Sequence, residues 1–390
     1  MSKLEELINE LCPDGVEYKM LGDFANITRG GNFQKKDFVE TGVPCIHYGQ
    51  IYTQYGLFTE STISCINSDA AVKSKFATQN DIIMAVTSEN VDDVCKSVAW
   101  LGSDNIAVSG HTAIIHHNQN PKYLSYYFHS SMFFTQKVKL AHGTKVIEVT
   151  PDKLANIRIP LPPLPVQREI VRILDNFTEL TAELTAELTA RKKQYEYYRD
   201  ELLTFSDESP VSILGTVAIN LDSKRKPVTK GNRDSGMYPY YGASGIVDYV
   251  SNYLFDGDYL LVSEDGANLV ARVTPIAFSA SGKIWVNNHA HVLMFKTYVE
   301  RKFVEYYLNM IDLSRFISTA AQPKLTQDNL NKIPVPTPSL EEQERIVAIL
   351  DRFDALCNDL TSGLPAQIEA RRKQYEYYRD KLLTFREAKA

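Results

Sequence analysis

Two fifteen-residue stretches of this chain are almost the same: Arg191–Phe205 reads RKKQYEYYRDELLTF and Arg371–Phe385 reads RRKQYEYYRDKLLTF, differing at two positions. Chance does not produce a repeat of that length, so the fold is assembled from two halves. Upstream, QREIVRILDNF (Gln167–Phe177) matches QERIVAILDRF (Gln343–Phe353) at an offset of 343 − 167 = 176, four less than the 180 that separates the KQYEYYRD copies. Lys122, Tyr126 and Tyr127 answer Lys302, Tyr306 and Tyr307. Leu154, Ile157, Pro160 and Pro162 answer Leu330, Ile333, Pro336 and Pro338, and LGDFA from Leu21 answers LGTVA from Leu214. Between these flanks, Asn26–Pro121 and Ile219–Arg301 share almost nothing. One frame carries two different inserts.

From about Pro165 to Phe205 the chain has no glycine and no internal proline, and Ile170, Ile173, Phe177, Leu180, Leu184, Leu188, Tyr195, Tyr198 and Leu202 recur in steps of three and four. That spacing predicts one long helix with a single apolar stripe, which places Tyr195 and Tyr198 in its core. The second half repeats the stripe from Ile346 through Tyr375, Tyr378 and Leu382, paused at Ser362-Gly363-Leu364-Pro365, where a break or kink is expected. Two such helices pack most simply as an antiparallel coiled coil. A dimerisation coil satisfies the same pattern. The first helix also contains TAEL twice, at Thr181–Leu184 and Thr185–Leu188. Each unit adds roughly 6 Å and about 400°, a net turn of about 40°, close to the roughly 34 to 36° that B-DNA turns per base pair.

Composition narrows the function classes. The 390 residues suffice for two to three domains, and 44% hydrophobic with 23% charged residues is ordinary for a globular protein. Five scattered cysteines without a CxxC pair suggest neither a disulfide framework nor a zinc site, and point to a reducing cytoplasm. No apolar run approaches the ~20 residues of a membrane span, and the charged start at Met1–Glu10 does not read as a signal peptide. A net charge of −6 argues against a free-standing nucleic-acid binder, so any DNA-binding role needs partners that supply positive charge.

The duplicated RKKQYEYYRDELLTF helix, the IPLPPLPVQREIVRILDNF and IPVPTPSLEEQERIVAILDRF segments after each insert, and the TAEL units together resemble the specificity (S) subunits of type I restriction-modification systems, in the subgroup with such units in the spacer helix. The match covers essentially the whole chain. It implies an α/β fold in which two target-recognition domains, each reading half of a bipartite double-stranded DNA target, are joined by two long antiparallel helices in pseudo-two-fold symmetry. The domains implied are residues 1–160 and 206–336, with helical regions at 161–205 and 337–390. Two methyltransferase (M) subunits would dock on the helices for adenine N6 methylation, and motor-nuclease (R) subunits would join for cleavage. S-adenosylmethionine, ATP and magnesium would then belong to the partners, and no cofactor, metal or catalytic residue to this chain. In keeping with this, no (D/N/S)PP(Y/F/W) tetrapeptide or GxxxxGK[ST] loop is found.

Candidate DNA contacts follow from residue type. Arg29, Asn32, Gln34, Lys35 and Lys36 sit in a Gly-rich turn opening the first insert; Lys224, Arg225 and Lys226 form a basic run ahead of Tyr241 and Ser244; Asn287, Asn288 and His289 form a polar string. Such side chains reach base edges and phosphates, although each string also reads as an ordinary turn. Lys145 and Lys324, in the loops returning to the helices, are further phosphate candidates. His289 and His291 lack a third metal ligand in sequence. Arg191, Lys192, Lys193, Arg371, Arg372 and Lys373 are candidate partner-docking residues, because identical partners need identical sites. Two other readings remain open: a coiled-coil scaffold whose inserts bind proteins or glycans, which the acidic charge favours, and a self-contained nuclease, for which no metal-carboxylate cluster is evident.

Overall fold

The computed structural model of the protein describes residues 2–318 and 322–389. The glycine-free stretch forms one continuous helix, Leu164–Leu203, of 40 residues, roughly 60 Å at about 1.5 Å per residue. The second stripe is two helices, Leu340–Asn358 and Leu364–Leu382. At the break the Asp359 carboxylate accepts from Thr361 N–H at 2.7 Å and from the hydroxyls of Thr361 and Ser362, and Pro365 lies in the first turn of the following helix, where its missing N–H costs nothing.

The chain divides into two compact units, Met1–Leu184 with Ile368–Ala390 and Thr185–Gln367. Along the central helix the division falls between the two TAEL units. The first unit therefore contains the second KQYEYYRD copy, and the second unit contains the first. In the first unit Phe177 stacks on Tyr378, ring centroids 5.4 Å apart. In the second, the repeat-equivalent Phe353 stacks on Tyr198 at 5.7 Å. The helix pair of the second unit is antiparallel: Arg191 and Lys192 are the electrostatic neighbours of Cys357, whereas Tyr195, further along, meets Phe353 and Asp354. Tyr195 and Tyr375 pack against the cores of their units, as the stripe had suggested, although half-buried, whereas Tyr198 is 38% exposed. Two helices have too little surface to enclose a ring placed at their rim.

The shared flanks build the same frame in both units. Tyr18–Met20 pairs antiparallel with Arg158–Pro160, and Val211–Ile213 with Pro334–Pro336. The glycine of each LG pair lets two backbones touch, since a Cβ on Gly22 would lie 2.9 Å from the Ala155 Cβ and one on Gly215 3.0 Å from the Asn331 Cβ. After each insert comes a helix, Pro121–Phe128, which buries Tyr123, Tyr126 and Tyr127, or Tyr298–Met310, which buries Tyr306. The Tyr126 hydroxyl donates to Asp175 at 2.7 Å and the Tyr306 hydroxyl to Asp351 at 2.6 Å.

The inserts share almost no sequence yet repeat one sheet order, with the same three antiparallel pairings and one parallel pairing running from the strand after the LG pair to Phe58–Thr59 or Ser235–Gly242; they differ in what is added, a second sheet in the first and an edge strand in the second. The first holds two mixed five-stranded sheets, in the orders Ala25–Arg29, Thr112–His117, Ile82–Ala85, Ser97–Trp100, Phe58–Thr59 and Phe38–Val39, Ser64–Ile66, Val43–Ile46, Ile106–Val108, Lys75–Ala77. The second holds one mixed six-stranded sheet, ordered Ile219–Asn220, Ala290–Met294, Phe255–Ser263, Ala277–Val286, Ser235–Gly242, Gly245–Val250. Among the described residues no helix is long and apolar enough to cross a membrane.

Candidate functional site

In the first unit the Gly-rich turn leaves the end of the Ala25–Arg29 strand. Arg29 donates from Nε to the Gly110 carbonyl at 2.9 Å and pairs with Glu148 at 2.9 Å. Glu148 in turn exchanges backbone hydrogen bonds with His142, at 3.1 and 2.8 Å. The loop carrying exposed Lys145 is thereby tied to the Arg29 turn. Lys35–Asp37 forms a single helical turn held by the Asp37 carboxylate, which accepts from Gln34 N–H at 2.8 Å. Asn32, Gln34, Lys35 and Lys36 are all exposed. Beneath them His47 is buried, and burial together with the Lys35 charge pushes its pKa down to about 4. The acidic stretch after Thr87 is an exposed turn held from below: Asn90 donates to Asp93 at 2.8 Å, and the ammonium of buried Lys137 donates to the Asp92 and Val94 carbonyls at 2.7 Å each.

In the second unit the structure gathers candidates that are far apart in sequence. Arg225, placed by the basic run among the outward DNA contacts, is a correction: its guanidinium turns inward and is 12% exposed. It bonds to Glu264 at 2.6 Å, Asp222 at 3.2 Å and the Ala290 carbonyl at 2.8 Å. The attraction between a cation and two buried carboxylates is stronger there than in water and offsets the cost of desolvating them. His291 is fully buried against the same pair, its Nδ1 at 2.5 Å from Asp222 and 3.7 Å from Glu264, with Nε2 at 2.8 Å from the Leu325 carbonyl. The tertiary fold thus brings to His291 the carboxylates that sequence spacing had not, within 4.8 Å of one another. The Arg225 guanidinium already bonds both of them, which makes the group an ion-pair network. Burial raises the pKa of Asp222 and Glu264, but hydrogen bonds from His291 and the Val292 N–H to Asp222, and from Arg225 and Lys324 to Glu264, outweigh it and hold both below the usual carboxylate range.

The network anchors the surface around it. Lys324, 48% exposed, reaches Glu264 at 3.1 Å. His289 Nδ1 lies 2.9 Å from Asp265, which bridges through its backbone to Lys324. Ser263 donates to the Ala243 carbonyl, beside exposed Ser244. Asn287 is 7% exposed and accepts the His289 N–H at 2.8 Å, a turn-capping bond, while Asn288 is exposed. Lys224 and Lys226 are exposed, and the Lys226 carbonyl accepts from the Trp285 indole at 2.7 Å. Tyr241 is half-buried and stacks on Phe278 at 6.1 Å. Lys226, Ser244, Asn288, His289 and Lys324 therefore ride on one braced set of loops. Asp222, which does much of the bracing, carries no sequence signal, because its partners come from other strands.

On the helices Arg191 donates to Gln194 at 2.9 Å and the equivalent Arg371 to Gln374 at 2.8 Å. Arg372 and Lys373 pair with Glu369 at 3.0 and 3.5 Å, and Lys192 and Lys193 are exposed. Sequence reasoning passed over the most exposed aromatics of the repeat, Tyr197 at 64% and Tyr377 at 61%, because both fall off the apolar stripe.

Comparison with known proteins agrees with this layout. The sequence model of the type I restriction modification DNA specificity domain matches twice, at residues 13–191 and 211–370. The specificity subunit of the type I restriction enzyme EcoprrI from Escherichia coli is 30% identical over 381 residues, which cover 93% of this chain and 93% of that one. The EcoR124I/EcoR124II specificity subunit of the same organism is 37% identical over 258 residues, 59% of this chain and 63% of its own. Among solved structures, a chain from a study of complex assembly and conformational transition in a type I R-M system aligns with a TM-score of 0.61 at 19% identity, over 96% of this chain and 98% of that one. The type I S subunit of M. genitalium aligns at 0.57 and 15% identity, over 95% and 96%. At those identities the likeness is one of fold.

Proposed function

The chain belongs to the type I restriction modification DNA specificity family, and from that premise we propose that its two units each read one half of a bipartite DNA target while the central helix sets the spacer between the halves. One observation carries this reading: a duplicated frame, sharing even its tyrosine–aspartate bond, holds two inserts that repeat one five-strand sheet order while sharing almost no sequence. A frame built twice suits two equivalent partners. Inserts of one sheet order with different surface side chains suit two different half-sequences.

The recognition domains are residues 1–160 and 206–336, and the helical regions 161–205 and 337–390 hold them and dock partners. In the first unit Arg29, Asn32, Gln34, Lys35, Lys36 and Lys145 face DNA. In the second, Lys224, Lys226, Tyr241, Ser244, Asn288, His289 and Lys324 do so, while Arg225 and Asn287, the latter expected among the contacts but buried as a turn cap, brace them from inside. Two methyltransferase subunits dock on the helices near Arg191, Lys192, Lys193, Arg371, Arg372 and Lys373, and bring S-adenosylmethionine for adenine N6 methylation. Motor-nuclease subunits bring ATP and magnesium chemistry. The chain itself performs no catalysis. Its net charge of −6 fits a subunit whose DNA affinity is completed by partners.

The test is to co-express the chain with its methyltransferase subunit and map N6-methyladenine by single-molecule sequencing. One bipartite motif, absent without this chain, is expected. A folded complex that marks no motif and shows no salt-dependent DNA binding would replace this reading with that of a protein-binding scaffold.

A further inference from the structure

The exposed face of the Asn32–Lys36 turn is one wall of a cleft of about 370 Å³, and the opposite wall comes from a segment with no motif in sequence. Asn32, Gln34 and Lys36 line one side; Asp69 and Lys73, from the short helix Ser68–Val72 and its end, line the other. The walls are held together tightly. Gly31 lies against the backbone of the second segment, where a Cβ would fall 2.4 Å from the Ser74 Cα and 2.5 Å from the Lys75 nitrogen. Asn67 accepts from Ala70 N–H at 2.9 Å, and its own backbone N–H donates to the Asp37 carbonyl at 3.2 Å, fastening the helix start to the Lys35–Asp37 turn.

The turn alternates in and out. Gly31 is buried, Asn32 exposed, Phe33 4% exposed and Gln34 exposed. Phe33 packs with Cys45, Ile66, Ala70, Ala71 and Ala107, and those last three helical and strand residues belong to the second wall or its floor. One small core thus fixes both walls, and it sends the Asn32 and Gln34 amides to the same side. Val72, 86% exposed, stands next to Lys73. Lys36 and Lys73 line the cleft with two carboxylates, Asp37 and Asp69, and Asp37 is already engaged by the Gln34 N–H, which leaves Asp69 as the acidic group facing the opening.

We propose that this second wall completes the base-reading site of the first unit, with Lys73 on a backbone phosphate and Asp69 accepting a hydrogen bond from a cytosine amino group beside the base edge addressed by Asn32 and Gln34. The chemistry follows the groove code: amides pair with adenine, a carboxylate accepts from cytosine N4, and an ammonium takes a phosphate without regard to sequence. The inference rests on the proposed DNA-reading function, and it adds residues to that site that nothing in the sequence marks.

The test uses the complex of full-length chain and methyltransferase subunit. Asp69→Ala should relax one position of one half-site in the methylation map and leave the other half-site intact. Lys73→Ala should keep the motif, lower affinity for duplex DNA carrying it by about eightfold at ~0.1 M salt, and reduce the slope of log affinity against log salt by about 0.9, as expected for one fewer counterion released. Both side chains are exposed, so an unchanged melting temperature is expected for each variant. If the wild-type complex marks no bipartite motif, the function itself fails. If it does, and both variants keep the wild-type motif, affinity and salt slope, or Asp69→Ala alters the other half-site, the second wall plays no part in reading.

Discussion

Deleting Thr185–Leu188 removes one TAEL unit at the point on the central helix where the two compact units meet. The stacks of Phe177 on Tyr378 and of Tyr198 on Phe353 lie wholly within one unit or the other, so each unit keeps its own packing. Four residues shorten a helix by roughly 6 Å and turn it by about 400°, a net 40°. With the helix axis along the DNA, a target shortened by one base pair matches the rotation to within about 5° and leaves roughly 2.6 Å of axial mismatch, taking about 3.4 Å and 34 to 36° per pair. Shortening by two pairs matches the rise to within about 1 Å but leaves some 30° of twist, which swings a side chain roughly 4.4 Å at a groove depth of about 8.5 Å. A reading side chain loses its base edge over that distance, so the deletion variant should recognise the same two half-sequences with a spacer one base pair shorter. Mapping N6-methyladenine in cells carrying the variant and its methyltransferase partner checks this. A changed half-sequence, an unchanged spacer, or a two-base-pair change would each refute the reasoning.

The repeat predicts matched costs in the two frames: Tyr126→Phe and Tyr306→Phe each remove a phenol-to-carboxylate bond, and each should cost about 1.5–3 kcal/mol in urea unfolding, with one variant near neutral arguing that the frames are not equivalent. Arg225→Ala should destabilise the second unit by about 3–5 kcal/mol, because Asp222 and Glu264 are left buried without their cation, and an unshifted thermal transition would show that the network is not formed. Burial pushes His47, His117 and His129 of the first unit down to about 4 from the ordinary 6.5. A depressed folded-state value means that the unfolded chain binds more protons, so the stability they contribute is full above about pH 6.5 and is lost as pH falls toward 4. The urea midpoint of the first unit should decline across that window, and a flat profile would contradict the burial of these rings.

Some of this architecture is written locally. The forty-residue helix follows from uninterrupted steps of three and four, its broken counterpart from Ser362-Gly363-Leu364-Pro365, and the twofold frame from residues repeated at offsets of 176 and 180. These are short-range signals, set by helix periodicity and backbone restriction, and they survive in a linear reading. Residue type also sufficed to select Asn32, Gln34, Lys36 and Lys324 as exposed polar candidates.

What sequence alone could not decide is which copy of a near-identical helix packs where, since KQYEYYRD presents the same side chains at both sites; only the path of the chain assigns Tyr378 to Phe177 and Tyr198 to Phe353. Nor could it separate Arg225 from Lys224 and Lys226. Three neighbouring cations look alike until the fold places Asp222 and Glu264 beside one of them and turns it inward. Asp69 and Lys73 became part of a cleft only because Gly31 lets two backbones meet there. Periodicity and repetition act over a few residues or between copies, and the sequence by itself determined the helices and the doubling. Charge pairing and close backbone approach act between segments far apart in the chain, so the tertiary structure decided the pairing of the helices and the make-up of the candidate surfaces.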